Sequence, residues 1–176
     1  MYHANEIADL VDQLQDNYVA VSTTLILLND DELFRLLVAK GCDEGSTVRL
    51  GRQDNTYYEG LKFWDAIRSV RGSDVFNLNF LGTQLMTGIS WIGHELSLRS
   101  YFDKSPELEF FRHLRNGISH GNRFHFKSGE PKRPARFRAF NMTPALHGQA
   151  VLFEYMSTGD VFDLLDHVKA HLRKLG

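Results

Sequence analysis

Between Ser105 and Phe126 the chain reads S-P-E-L-E-F-F-R-H-L-R-N-G-I-S-H-G-N-R-F-H-F, and most of its chemistry-bearing side chains gather there. Arg115 supplies a guanidinium that stays charged and can grip two oxygens of one group. His120 supplies an imidazole that takes and gives protons near neutral pH. Asn116 lies one turn before His120. With residues about 100° apart on a helix, Phe110, Phe111, Leu114 and Ile118 share an apolar arc. Arg115, Ser119, Arg112, Asn116, His120 and His113 fill the opposite arc, in that angular order. Two arginines, an asparagine and two histidines are costly to bury and suit an anionic ligand. A solvated polar face is the plainer alternative.

The helix that carries this face has start and stop signals of its own. Ser105 can cap free N–H groups, and Pro106 follows where no N–H is needed. Glu107 and Glu109 complement the positive end of the helix dipole. Gly121 and Asn122 are stop residues.

At these positions the sequence resembles a known family. Arg115-Asn116-x-x-x-His120 matches the arginine–polar–spacer–histidine signature of the HEPN superfamily, small helical proteins that include many bacterial ribonucleases. The wider run F-F-R-H-L-R-N-G-I-S-H-G-N is similar to its toxin and phage-defence branches. With the resemblance goes the expectation of a metal-independent endoribonuclease that needs no cofactor and leaves a 2′,3′-cyclic phosphate. The resemblance also implies a homodimer in which two motif helices face each other. His120 would act as general acid or base on the 2′-hydroxyl or the 5′-leaving oxygen. Arg115 would stabilise the phosphorane, and Asn116 would orient His120 or the phosphate. Arg112, His113, Ser119, Arg123, His125, Lys127, Lys132 and Arg133 are the expected RNA-binding residues, with His113 and His125 also placed to share proton transfer. Members neutralised by a nucleotidyltransferase often carry tyrosine two residues after the motif histidine. Asn122 stands there, so that modification is not expected, while an antitoxin or sensor protein stays open as a partner. The competing reading is a catalytically inactive module of the same type that binds RNA or a protein.

On one ideal helix Arg115 and His120 diverge by about 140°. Two antiparallel copies about a dyad would bring one chain's arginine beside the other's histidine, a common oligomer geometry. Phe110 and Phe111 are the expected anchors of that contact.

Charge is distributed in keeping with an RNA-binding site. The formal net charge of the 176 residues is −2, yet residues 112–138 carry +7 and the remainder −9. A local positive field attracts a phosphate backbone with salt-sensitive affinity. No apolar run approaches the roughly 20 residues that span a bilayer, the first residues lack the pattern of a signal peptide, and the single Cys42 excludes an internal disulfide. A cytoplasmic protein is expected.

Periodicity predicts a mainly α fold in one domain: a helical bundle with two long helices, shorter ones and a small β-hairpin before the last helix. Ile7, Val11, Leu14, Tyr18, Val21, Leu25 and Leu28 mark a first long helix from Ala4. Asp30 starts a short helix, Asp31 to Lys40, which Gly41 ends. Cys42 to Asn55 reads as a loop and Tyr57 to Val70 as a helix. A second long helix is expected from Asp74 to Phe102, with Leu78, Leu81, Leu85, Ile89, Ile92 and Leu96 along its seam. Its Gly82, Gly88 and Gly93 permit close approach, Trp91 is expected in the core, and His94 is expected to be a hydrogen-bonded structural residue. Ala135 to Phe140 and Ala150 to Tyr155 are expected to pair as the hairpin. The last helix runs from Gly159 to Leu175 with Val161, Leu164, Leu165, Val168 and Leu172 inward.

Other candidate sites are weaker. His167 and His171 have a spacing that can hold a metal, but no third ligand is marked, so a solvated face is the better reading. The pairs Asp30-Asp31 and Asp43-Glu44 are best explained as caps.

Overall fold

A computed structural model of the chain describes residues 3–42 and 45–176. The caps act as their chemistry requires. α1 (Ala4–Leu27) is followed by α2 (Asp31–Ala39), whose Asp30 carboxylate accepts the N–H groups of Glu32 and Leu33. After Gly41, at φ +88, the chain enters a hairpin of β1 (Thr47–Gly51) and β2 (Tyr57–Lys62). Then come α3 (Phe63–Val70), α4 (Asp74–Leu98), α5 (Pro106–Ser119), the two-residue strands β3 (Arg136–Phe137) and β4 (Phe140–Asn141), and α6 (Thr158–Arg173). The protein is mainly α. Among the described residues, no helix is long and apolar enough to cross a membrane.

Contacts divide the chain into two compact units. The larger comprises Met1–Asn17 with Gly82–Gly176, and the smaller Tyr18–Leu81.

In the larger unit the apolar stripes of four helical segments make one core. Ile7, Ala8, Val11 and Leu14 of α1 are buried, as are Leu85, Ile89, Ile92 and Leu96 of α4. α5 contributes Leu108, Phe110, Phe111, Leu114 and Ile118, and α6 contributes the five inward residues named above. A Cβ on Gly88 would stand 2.4 Å from a methyl of Leu14, so α1 and α4 approach closely at this glycine. α6 is anchored to α1 by polar bonds: Lys169 Nζ reaches Asp12 at 2.8 Å, and Arg173 reaches Asp9 and Asp12. Its N-terminus carries a full capping box between Ser157 and Asp160.

In the smaller unit Trp64 and Ile67 of α3 are buried. The indole packs on Phe34 at 4.4 Å and donates its N–H to the Cys42 carbonyl at 3.1 Å.

Several expectations need correction. Thr47–Gly51 and Tyr57–Lys62 are antiparallel strands, not loop and helix; Leu50 pairs with Tyr58 across a tight turn at residues 52–56. The hairpin near the C-terminus lies wholly within residues 136–141, where Phe137 pairs with Phe140. Ala150 instead bridges Arg123, and Leu152 bridges Met156. α4 stops at Leu98, with Ser100 at φ +58 turning the chain before Phe102. Trp91 is 50 % exposed and Leu78 60 % exposed, so neither belongs to a core. His94 is likewise exposed. The pair Asp43-Glu44 lies outside the described residues.

Candidate functional site

The motif helix α5 starts as its sequence demands, with Ser105 Oγ accepting the Leu108 N–H. Its end shapes the site. His120 is the C-cap residue, and its N–H bonds back to the Asn116 and Gly117 carbonyls. Gly121 at φ +78 and Asn122 at φ +62 follow, two successive left-handed residues that reverse the chain. The N–H of Arg123 then returns to the Gly117 carbonyl at 2.9 Å. Gly117 must lack a side chain for this return, since a Cβ there would meet Val151 Cγ2 at 2.6 Å and the Arg123 carbonyl at 3.2 Å.

The returning strand-like segment pairs with a distant one. Phe124 donates to the Gln149 carbonyl at 3.0 Å, Gly148 donates to the Phe124 carbonyl at 2.8 Å, and Val151 donates to the Asn122 carbonyl at 2.9 Å. Asn122 adds side-chain bonds to both backbone groups of Leu152. Asn122 is therefore a backbone clamp.

This pairing assembles a row of three imidazoles. The ring centroids of His120 and His125 are 5.3 Å apart, and those of His125 and His147 are 5.2 Å apart. All three side chains are exposed. His147 Nδ1 accepts the Phe126 N–H at 3.2 Å, which leaves the proton of the neutral ring on Nε2. Sequence reasoning did not single out His147. It sits in a loop 22 residues beyond His125, and only the backbone pairing joins them.

Arg115 is held from two sides. Its Nη1 donates to Asn116 Oδ1 at 3.0 Å, so Asn116 orients the arginine rather than His120. A Cβ on Gly93 of α4 would lie 2.5 Å from Arg115 Cγ, so the stem of the arginine rests on the bare backbone of that glycine.

The expected polar face needs one clear correction. His113 is only 3 % exposed, packed on Phe126 with ring centroids 5.3 Å apart. The physical reason is that the returning segment covers a second side of α5, widening its buried arc beyond the apolar stripe. The Arg112 side chain donates from Nη2 to His113 Nε2 at 3.0 Å and from Nε to Glu109 Oε2 at 2.7 Å. Arg133 approaches the same carboxylate at 3.6 Å. Arg112, His113 and, in part, Arg133 are thus engaged within the protein. Phe110 and Phe111, expected at a dimer contact, are fully buried within one chain.

Burial, and then the neighbouring Arg112 charge, hold the pKa of His113 below its ordinary value. The unfolded chain therefore takes up this proton first as pH falls. The stability that neutral His113 contributes is complete above the ordinary imidazole value of about 6.5 and is lost as pH drops below it toward the lower folded value. The urea midpoint is expected to fall between about pH 7 and pH 5, and His113→Gln to flatten that slope. An equal slope in the variant would assign the effect to other groups.

Ser119, Arg123, His125, Lys127 and Lys132 are exposed around the imidazole row and its flanking loop. Arg123 also donates to the Gly148 carbonyl at 2.7 Å. His167 packs on Phe137 and His171 lies 3.4 Å from Asp103. Among the described residues, no group of three or more His, Cys, Asp or Glu side chains is arranged to hold a metal ion.

A row of exposed imidazoles can bind an anion and exchange protons beside it, and a guanidinium such as that of Arg115 can stabilise charge on an oxyanion. No protein-family model, no curated protein and no solved structure matches the chain.

Proposed function

We propose that the protein is a metal-independent endoribonuclease acting through Arg115 and His120. The observation that carries this reading is that one helix presents both a held arginine and, at its C-cap, an exposed imidazole. Arg115 is fixed by Asn116 and Gly93, and His120 stands exposed at the C-cap within a strongly basic segment. In the proposed reaction the 2′-hydroxyl of the RNA attacks the adjacent phosphorus and gives up its proton to a general base. The bond to the 5′-oxygen breaks, and that oxygen is protonated by a general acid. The products are a 2′,3′-cyclic phosphate and a 5′-hydroxyl. His120 takes one of these proton transfers, and His125, one ring away, is placed to take the other. The nucleophile belongs to the substrate, so no metal-activated water is required. The angular gap between Arg115 and His120 favours a cleft completed across a homodimer, with a toxin or defence role as the setting.

The test is cleavage of a structured RNA in excess EDTA, with analysis of the fragment ends. Cyclic phosphate ends are expected, and replacing the scissile ribose by deoxyribose is expected to stop cutting at that bond. Dependence on added magnesium, or efficient cutting at the deoxyribose, would overturn the mechanism.

The basic loop should act on affinity alone. Replacing both Lys132 and Arg133 by alanine is expected to weaken RNA binding and lower its salt slope by about one to two. Arg133 shares a carboxylate with Arg112, so Lys132 is expected to carry the larger part. Binding isotherms at several salt concentrations check this.

A further inference from the structure

Beside the imidazole row lies an open cavity of about 550 Å³, within the size range of small-ligand sites. One wall comes from residues 126–131 and the other from Met142, Thr143, Pro144 and His147. Pro131 and Pro144, with the small part of Phe126 and Met142 that stays uncovered, give it apolar surface that suits a flat ring. The lining residues with polar side chains are few: Lys127, Ser128, Glu130, Thr143 and His147.

Glu130 is set firmly. Its N–H donates to the Lys127 carbonyl at 3.0 Å, and its Oε2 accepts the Lys127 N–H at 3.0 Å. This reciprocal turn leaves Oε1 and a second lone pair on Oε2 as acceptors. The same backbone bond, aided by the charges of Arg112 and Lys127, lowers its pKa and keeps it ionised. An ionised carboxylate accepts hydrogen bonds and donates none. Guanine is the base whose pairing edge carries two adjacent donors, N1–H and the exocyclic amine. Adenine, cytosine and uracil would each turn at least one acceptor toward the carboxylate. A carboxylate also disfavours a phosphate inside the cavity, which leaves the phosphate to the row outside it.

We infer that this cavity is a base pocket, and that it takes the guanine beside the scissile phosphate. His147 joins the two places, because it lines the cavity and stands in the imidazole row with His125 and His120. The neutral imidazole, with its proton on Nε2, supplies a donor suited to the acceptors O6 and N7 of the same base. The inference rests on the ribonuclease reading for its placement next to the cut, but the pocket can be tested without any cleavage.

The probes are the four ribonucleoside 3′-monophosphates and inorganic phosphate, titrated against the His120→Ala protein while amide shifts of residues 128–131 and 142–144, the part of the cavity away from the imidazole row, are followed. The guanosine nucleotide is expected to bind at least about tenfold tighter than the others, and phosphate alone to leave these amides unmoved. Glu130→Gln can still accept the Lys127 N–H and is expected to abolish the preference. Ser128→Phe, which fills the cavity and spares the carboxylate, is expected to weaken guanosine binding about tenfold. Equal affinity for all four nucleotides, or shifts with phosphate alone, would overturn the pocket. Sequencing of cut ends separates the two ideas. Cutting with no guanine preference at either side of the cut sinks the pocket and leaves the ribonuclease, whereas guanosine-selective binding without any cutting does the reverse.

Discussion

Cleavage by the His120→Ala protein is expected to fall by about 10²–10⁴-fold, the usual worth of a positioned acid or base, with the melting temperature unchanged. The side chain is exposed, so its loss opens no core cavity. The cap is a backbone feature, in which the N–H of residue 120 bonds to the Asn116 and Gly117 carbonyls, and alanine keeps it. Arg115→Ala is expected to match it in activity, because charge on the non-bridging oxygens would then go unanswered. Mixing the two variants tests where the cleft is built. In a cleft shared between two copies, each mixed dimer retains one intact Arg–His pair and activity returns. Inactive mixed dimers would confine the site to a single chain. Wild-type rates from His120→Ala would remove the catalytic assignment altogether.

Phe110→Ala is expected to lower stability by about 3–5 kcal/mol, enough to unfold a marginal domain near room temperature. The ring is wholly buried, with Phe137, Phe140 and Tyr155 at centroid distances of 6.2, 6.4 and 6.5 Å. These partners hold together the segment that leads into α6, so the void cannot close without moving several elements. Urea unfolding followed by circular dichroism measures the loss. A phenylalanine serving as an interface anchor would behave differently: truncation would change dimer dissociation and leave the monomer's stability nearly intact.

The elements legible in the sequence were those whose signal is local. Ser105-Pro106 fixes a helix start by capping chemistry that involves neighbours alone. The seams of α1 and α6 repeat at helical spacing because one side of each is buried. The β1–β2 hairpin gave no such signal. Most of its side chains are exposed on both faces, so there is no alternation for burial to impose. His113 was misplaced for the opposite reason. A helical wheel knows one buried side, whereas α5 is covered on two, the second by a segment that reaches it only after a left-handed reversal. Arg115, Asn116 and His120 were readable from residue type and spacing. His147 was not, because its place depends on backbone bonds between segments far apart in the chain. The same distance hid the cavity that it lines.

In the proposed reaction the bare backbone at Gly93 has a consequence for turnover. A free surface arginine samples many rotamers, and each substrate encounter must freeze them, at an entropic cost of up to about 2 kcal/mol. With its Cγ lodged where a Cβ of residue 93 would sit, Arg115 has surrendered part of that freedom on folding. The loss is taken once, when the chain folds, and is not repeated with each molecule of RNA. A methyl group at position 93 would displace the stem and return the arginine to its rotameric search, so the absence of a side chain on one helix is what keeps a charge on another ready.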